Sequence, residues 1–201
     1  MYENSEPTTC FFPGIFSPPT KYDLRLAEWL SRKIHDVNEV IIVIGKDQPG
    51  SLPAKTKEKI WKSYLMDNTI APVNIYTDEK YSPLMAIYKM HEGSSSDPFS
   101  IAVPSEVADD ESFQNYFEAF PDYKIIITPN YDKEVPGKMV KAVEEGKFGE
   151  FCKYIPATLR PDVKKEIFEM LKPEDKNPVM TKEYWGGMMQ EMYSKYDLIN
   201  K

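Results

Sequence analysis

The sequence predicts an α/β fold: three layers, doubly wound about a five-stranded, mainly parallel sheet, with a helical C-terminal extension. Three observations carry that expectation. The run Val40-Ile41-Ile42-Val43-Ile44 is continuously apolar, as is Ile125-Ile126-Ile127, and unbroken β-branched runs suit strands covered on both faces. Segments of helical apolar period lie between such runs, and strand–helix alternation implies right-handed crossovers. After Thr128 the strand pattern stops and only helical patterns follow.

Four strands are expected at Thr9–Phe16, Glu39–Ile44, Val73–Tyr76 and Lys124–Thr128, with a fifth, less continuous one at Phe99–Val103. The first helix, Tyr22–Asp36, gathers Leu24, Leu26, Leu30 and Ile34 near one side. The second, Pro53–Met66, has Ser51 as its expected cap and a stripe of Ile60, Trp61, Tyr64 and Leu65. Ser82–His91 and Asp109–Phe120 follow, the latter with Phe113, Tyr116, Phe117 and Phe120 as packing residues. Short helices are predicted at Gly137–Glu145, Phe148–Tyr154, Pro161–Leu171 and Thr181–Tyr196, punctuated by Pro156, Pro161, Pro173 and Pro178. This divides the chain into an α/β domain over 1–157 and a helical extension over 158–201, packed on the domain or on a partner.

Composition narrows the function. With 201 residues, 41% of them apolar and 13% aromatic, the chain can fill one sizeable core. Its net charge of -7 speaks against general nucleic-acid binding, which needs a basic face. The cluster Lys55, Lys57, Lys59 and Lys62 reads as the wet face of a helix. Cys10 and Cys152 are far apart and match no zinc spacing, so a reducing compartment is expected and no metal site. No charged-then-apolar leader is visible, nor a run of about 18 apolar residues. The expected location is therefore cytoplasmic, with no membrane partner. His35 and His91 sit late in predicted helices, where histidine interacts well with the helix dipole.

In an open parallel sheet, ligands sit beyond the carboxyl ends of the strands. Two loops there open helices: Gly14-Ile15-Phe16-Ser17-Pro18-Pro19-Thr20-Lys21-Tyr22-Asp23, and Thr128 to Lys138. A helix start offers free amide donors and suits phosphate.

The first loop resembles the G-x-F-x-P-x-[HT]-x-G-H signature of the HIGH-motif nucleotidylyltransferases, with Gly14, Phe16, Pro18 and Thr20 at matching offsets. That superfamily includes the cytidylyltransferases and the phosphopantetheine and nicotinamide-mononucleotide adenylyltransferases. The stretch from Val135 to Phe148, closed by Tyr154-Ile155-Pro156, is similar to its late I-S-x-T-x-x-R region. The resemblance spans residues 9–157 and implies a Rossmann-like fold. It also implies transfer of a nucleotide monophosphate from ATP or CTP, with Mg²⁺, to a phosphorylated acceptor. On this resemblance Thr20, Lys21 and Asp23 occupy catalytic positions, and Gly14, Phe16, Lys46, Gly137 and Lys138 nucleotide-binding ones. Lys59 falls where the family often carries a basic residue.

Three departures bear on turnover. Asp23 stands where the family has its second histidine, and Tyr22 where it has the preceding glycine. Val140 aligns with the family's arginine. An anion repels the phosphate that a histidine would attract, and valine donates nothing. The resemblance therefore speaks more for the fold and a nucleotide site than for catalysis. The open alternative is a catalytically dead scaffold in a larger assembly, such as a virus particle, since phage-encoded proteins of this kind resemble the chain. The extension, rich in Tyr184, Trp185, Met188, Met189, Met192 and Tyr193, would mediate self-association or assembly. Its Trp185-Gly186-Gly187-Met188-Met189 run reads as a kink, a close helix contact or a docking point.

Overall fold

The computed structural model describes residues 8–33, 37–47, 51–66, 72–92, 98–118, 123–130 and 132–172; the side chains of Lys33, Ser112 and Tyr116 are not among the described groups. Five strands, β1 (Thr8–Gly14), β2 (Val37–Ile44), β3 (Val73–Thr77), β4 (Phe99–Val103) and β5 (Tyr123–Ile127), form one sheet. The sheet order is β3-β2-β1-β4-β5, and every neighbouring pair runs parallel. This is a Rossmann-like α/β fold, as the apolar runs predict.

Alternation along the central strands β1, β2 and β4 sends side chains to two cores, whereas the edge strands β3 and β5 expose Asn74, Tyr76, Lys124 and Ile127. Cys10 and Phe12 of β1, Val40, Ile42 and Ile44 of β2 and Ala102 of β4 enter one core. There they meet α1 (Lys21–Lys33), α2 (Ala54–Met66), α6 (Val135–Glu144), α7 (Phe148–Phe151) and α8 (Pro161–Met170). Phe11, Val43, Phe99, Ile101 and Val103 point the other way, against α3 (Pro83–His91), α4 (Ser105–Ala108) and α5 (Glu111–Phe117). From α8 and its flank, Leu159, Ile167, Phe168 and Leu171 enter the first core. The predicted helix Thr181–Tyr196, the Trp185 run and His35 lie outside the described residues.

Three boundaries differ from expectation for physical reasons. Strand β1 ends at Gly14 rather than Phe16, because Phe16 turns back with φ of 44°. The helix expected over Asp109–Phe120 starts two residues later, as α5 at Glu111, and a separate turn, α4, precedes it: Asp109 closes α4 and the Asp110 carboxylate accepts the Phe113 amide at 3.4 Å. Ser51 does not cap α2. The Asp47 carboxylate does, by accepting the Ala54 amide, while the Ser51 hydroxyl donates to the Leu52 carbonyl at 3.3 Å. The Ser82 hydroxyl caps α3, accepting from the Met85 amide at 3.4 Å.

The reversal at Phe16 fixes the end of β1. Its ring stands edge-on to Trp61 at 5.1 Å and to Phe12 at 5.4 Å, and is 7% exposed. A left-handed backbone costs a non-glycine residue about 1–2 kcal/mol, while burying a phenylalanine side chain returns about 1.5–3 kcal/mol. Burial therefore carries the turn. Gly14 permits it, since a Cβ there would lie 2.3 Å from the Phe16 ring. Gly14→Ala is expected to destabilise the chain by about 1–3 kcal/mol through overpacking, and Phe16→Leu in the same chain to recover part of the loss. Urea unfolding of the single and double variants checks this.

Candidate functional site

The topological switch lies between β1 and β4, whose crossovers leave in opposite directions. These strands pair only from Thr9↔Phe99 to Phe11↔Ile101 and then run on to Gly14 and Val103. The crevice beyond their carboxyl ends is the position at which such sheets take ligands. Around it stand the β1–α1 loop, the β2–α2 loop and the start of α6.

The N-terminus of α1 is closed by the protein's own groups. Thr20 is its N-cap: the Thr20 hydroxyl oxygen accepts the Tyr22 amide at 3.2 Å and donates to Asp23 Oδ2 at 2.7 Å. Asp23 Oδ2 also accepts the Thr20 amide at 2.7 Å. This is a capping box with aspartate in the acidic place. The Lys21 amide donates to the Tyr154 carbonyl at 2.8 Å. The amides of Thr20, Lys21 and Tyr22, which would otherwise make the anion cradle of a helix start, all have protein acceptors.

Burial sets the chemistry of that corner. Thr20 is fully buried and Asp23 is 4% exposed. Desolvation pushes the Asp23 carboxyl up to about 6, against the pull of hydrogen bonds from the Thr20 hydroxyl and amide and its own amide. The Tyr64 hydroxyl, donating to the Pro19 carbonyl at 2.9 Å, is raised well above the usual phenol range by burial and by the Asp23 charge.

Of the nucleotide-binding candidates, Phe16 faces the core and Gly14 makes room for its ring. Lys21 is half-buried, its ammonium 5.2 Å from the Tyr22 ring centre, with Arg25 on the same ring at 5.7 Å. Lys46 is half-buried after β2, its amide donating to the Tyr81 carbonyl at 2.8 Å. Gly137 lies in the first turn of α6, where a Cβ would meet nothing within 4 Å. Lys138 pairs with Asp132 at 2.8 Å and Glu134 at 3.1 Å. The Tyr154 carbonyl holds α1, and the Tyr154 hydroxyl donates to Glu150 Oε1 at 3.2 Å. Lys59 pairs with Glu166 at 2.7 Å, on α8. Val140 is half-buried in α6.

The basic cluster on α2 contains an exception to its expected wet face. Lys55, Lys59 and Lys62 are exposed, but Lys57 is 2% exposed. Its ammonium donates to the Ser51 hydroxyl at 3.4 Å. Burial lowers it to about 8, against the attraction of Asp47. Among the described residues no group of three His, Cys, Asp or Glu side chains could hold a metal ion. Among those residues, too, no helix is long and apolar enough to cross a membrane.

No family profile matches the chain, and no curated protein does. Two solved structures of the nicotinic acid mononucleotide adenylyltransferase of Plasmodium falciparum are similar in fold. The one complexed with NaAD has a TM-score of 0.55 at 14% identity, and covers 82% of this chain and 98% of its own. The one complexed with APC has a TM-score of 0.50 at 16% identity, with the same coverage.

The buried carboxyl makes a signed prediction. A folded-state value above the ordinary 3.8 favours the protonated form. Its stabilisation is complete below about pH 4 and is lost as pH rises through about 6, a loss of about 3 kcal/mol. Asp23→Asn removes this term. Its stability relative to the unsubstituted chain is expected to rise by about 3 kcal/mol between about pH 4 and about pH 8, as measured by urea unfolding at each pH.

Proposed function

We propose that this chain is a nucleotidyltransferase-like protein that takes a nucleoside triphosphate, ATP or CTP, into the crevice beyond β1 and β4 and turns it over slowly or not at all. The observation that carries the reading is the sheet itself, an all-parallel β3-β2-β1-β4-β5 order with its switch at the β1–α1 loop. The adenylyltransferase whose fold it shares is complexed with NaAD in one structure and APC in the other. Lys21, Lys46 and Lys138 are the proposed charge partners of the phosphates, and Gly137 leaves open space at the start of α6.

Nucleotidyl transfer has an acceptor phosphate attack the α-phosphate of the triphosphate while pyrophosphate leaves. Its barrier is lowered mainly by positioning and by donors aimed at the developing charge. In this chain the Thr20 hydroxyl and the first amides of α1 already bond to protein acceptors. Asp23 adds a carboxyl, not a cation. Loss of efficient transfer follows from those two facts, while the crevice and its lysines carry the expectation of binding. The same closed helix start favours a second reading, a scaffold of a phage or other assembly that associates through residues 158–201.

Thermal unfolding with ATP or CTP and Mg²⁺, run beside a pyrophosphate-release assay, separates the readings. The proposal expects a melting temperature that rises with nucleotide by mass action, with little or no pyrophosphate. Rapid release overturns the loss of catalysis. No shift with either nucleotide overturns the binding site and leaves the scaffold.

A further inference from the structure

The closed start of α1 removes the usual donors for a phosphate, yet one cation elsewhere is held where no structural economy explains it. Lys57 lies on the inner face of α2, in a stripe with Ile60, Trp61 and Tyr64. An ammonium out of water costs several kcal/mol unless an anion and further hydrogen bonds compensate it. The compensation is thin. The hydrogen bond to Ser51 is long, at 3.4 Å. Asp47 attracts the ammonium but is itself exposed and serves the Ala54 amide. Among the described residues no carboxylate lies within ion-pair distance of it. A lysine has three protons to give and accepts nothing, so an acceptor-only group would complete it.

The position is as informative as the burial. Ser51 is followed by Leu52, whose amide donates to the Ser17 hydroxyl at 3.1 Å. Ser17 belongs to the β1–α1 loop at the ligand crevice. The ammonium therefore lies one residue from the seam where the β2–α2 loop meets the β1–α1 loop.

We infer that Lys57 is a further phosphate-recognising cation of this chain, beside Lys21, Lys46 and Lys138, donating to a phosphate oxygen of a bound nucleotide in place of the amides that α1 keeps for itself. This deepens the reading of the crevice as a nucleotide site and depends on it. An entering oxygen would exchange with the long Ser51 contact and leave the ammonium paired with an anion. The lowered proton affinity of Lys57 agrees with a charge awaiting such a partner.

The test measures binding of ATP and of inorganic tripolyphosphate by calorimetry to the unsubstituted chain, Lys57→Met and Lys62→Met. Lys62 is an exposed control on the same helix, paired with Glu58. The inference expects Lys57→Met to fold and to lose about tenfold or more in affinity for both ligands, the effect of one charge-assisted hydrogen bond. Lys62→Met is expected to bind as the unsubstituted chain does. Equal binding by Lys57→Met overturns the role of Lys57 and leaves the nucleotide site standing. Absence of binding by the unsubstituted chain overturns the site and, with it, this inference. Should Lys57→Met fail to fold, the Lys57 ¹³Cε resonance of the unsubstituted chain decides. A shift on adding tripolyphosphate supports the inference, and an unmoved resonance overturns it.

Discussion

The Thr20–Asp23 pair is the constraint on which the site turns. A helix start leaves about four amides without partners inside the helix, and this fold places one such start beneath the crevice. The Thr20 hydroxyl, the Asp23 carboxyl and the Tyr154 carbonyl take up the amides of Thr20, Lys21 and Tyr22. A good cap stabilises a helix by about 1 kcal/mol. The same bonds leave an incoming phosphate without its ordinary donors. The gain in helix stability and the weakening of the anion site are one arrangement of atoms. The burial that raises Asp23 adds a stability that declines as the carboxyl ionises.

The remaining architecture holds that corner in place. Phe16 folds back over Gly14 and locks against Trp61 of α2, while the Tyr64 hydroxyl reaches the Pro19 carbonyl. The β1–α1 loop is thus pinned on its inner side by the α2 stripe and on its outer side by the Leu52–Ser17 bond. The closing segment of the described chain contributes through Tyr154. Its backbone completes the cap of α1 and its hydroxyl donates to Glu150. Strand, loop and helix starts are held by one connected set of contacts.

Much of the fold was legible because buried parallel strands must be apolar on both sides, as Val40–Ile44 is; Ile125–Ile127 has the same pattern but lies on the edge strand β5, with Ile127 exposed. The site was less so. The motif frame marks Thr20 and Asp23 as ligand positions, yet a threonine followed three residues later by an acid is also a capping pattern, and the structure uses it that way. Lys57 was hidden among neighbouring lysines at odd spacing. Its place shows only when it is set on the helical stripe 57, 60, 61 and 64, three of whose members are large and apolar in character. Asp47 as the cap of α2 acts from seven residues upstream of Ala54, a distance that local patterns do not reach. Phe16 has the right type and offset for a ligand loop, but the depth of its burial depends on Trp61, forty-five residues on.

The most direct test of a self-capped α1 reads its amides in solution. In ¹⁵N–¹H spectra recorded with rising ATP, the resonances of Thr20, Lys21 and Tyr22 are expected to stay near their starting positions while others in the crevice move. Large, saturable shifts at Thr20 and Tyr22 would mean that a phosphate displaces the Asp23 carboxyl from the helix start, and would contradict a helix start that keeps its amides for the protein's own acceptors.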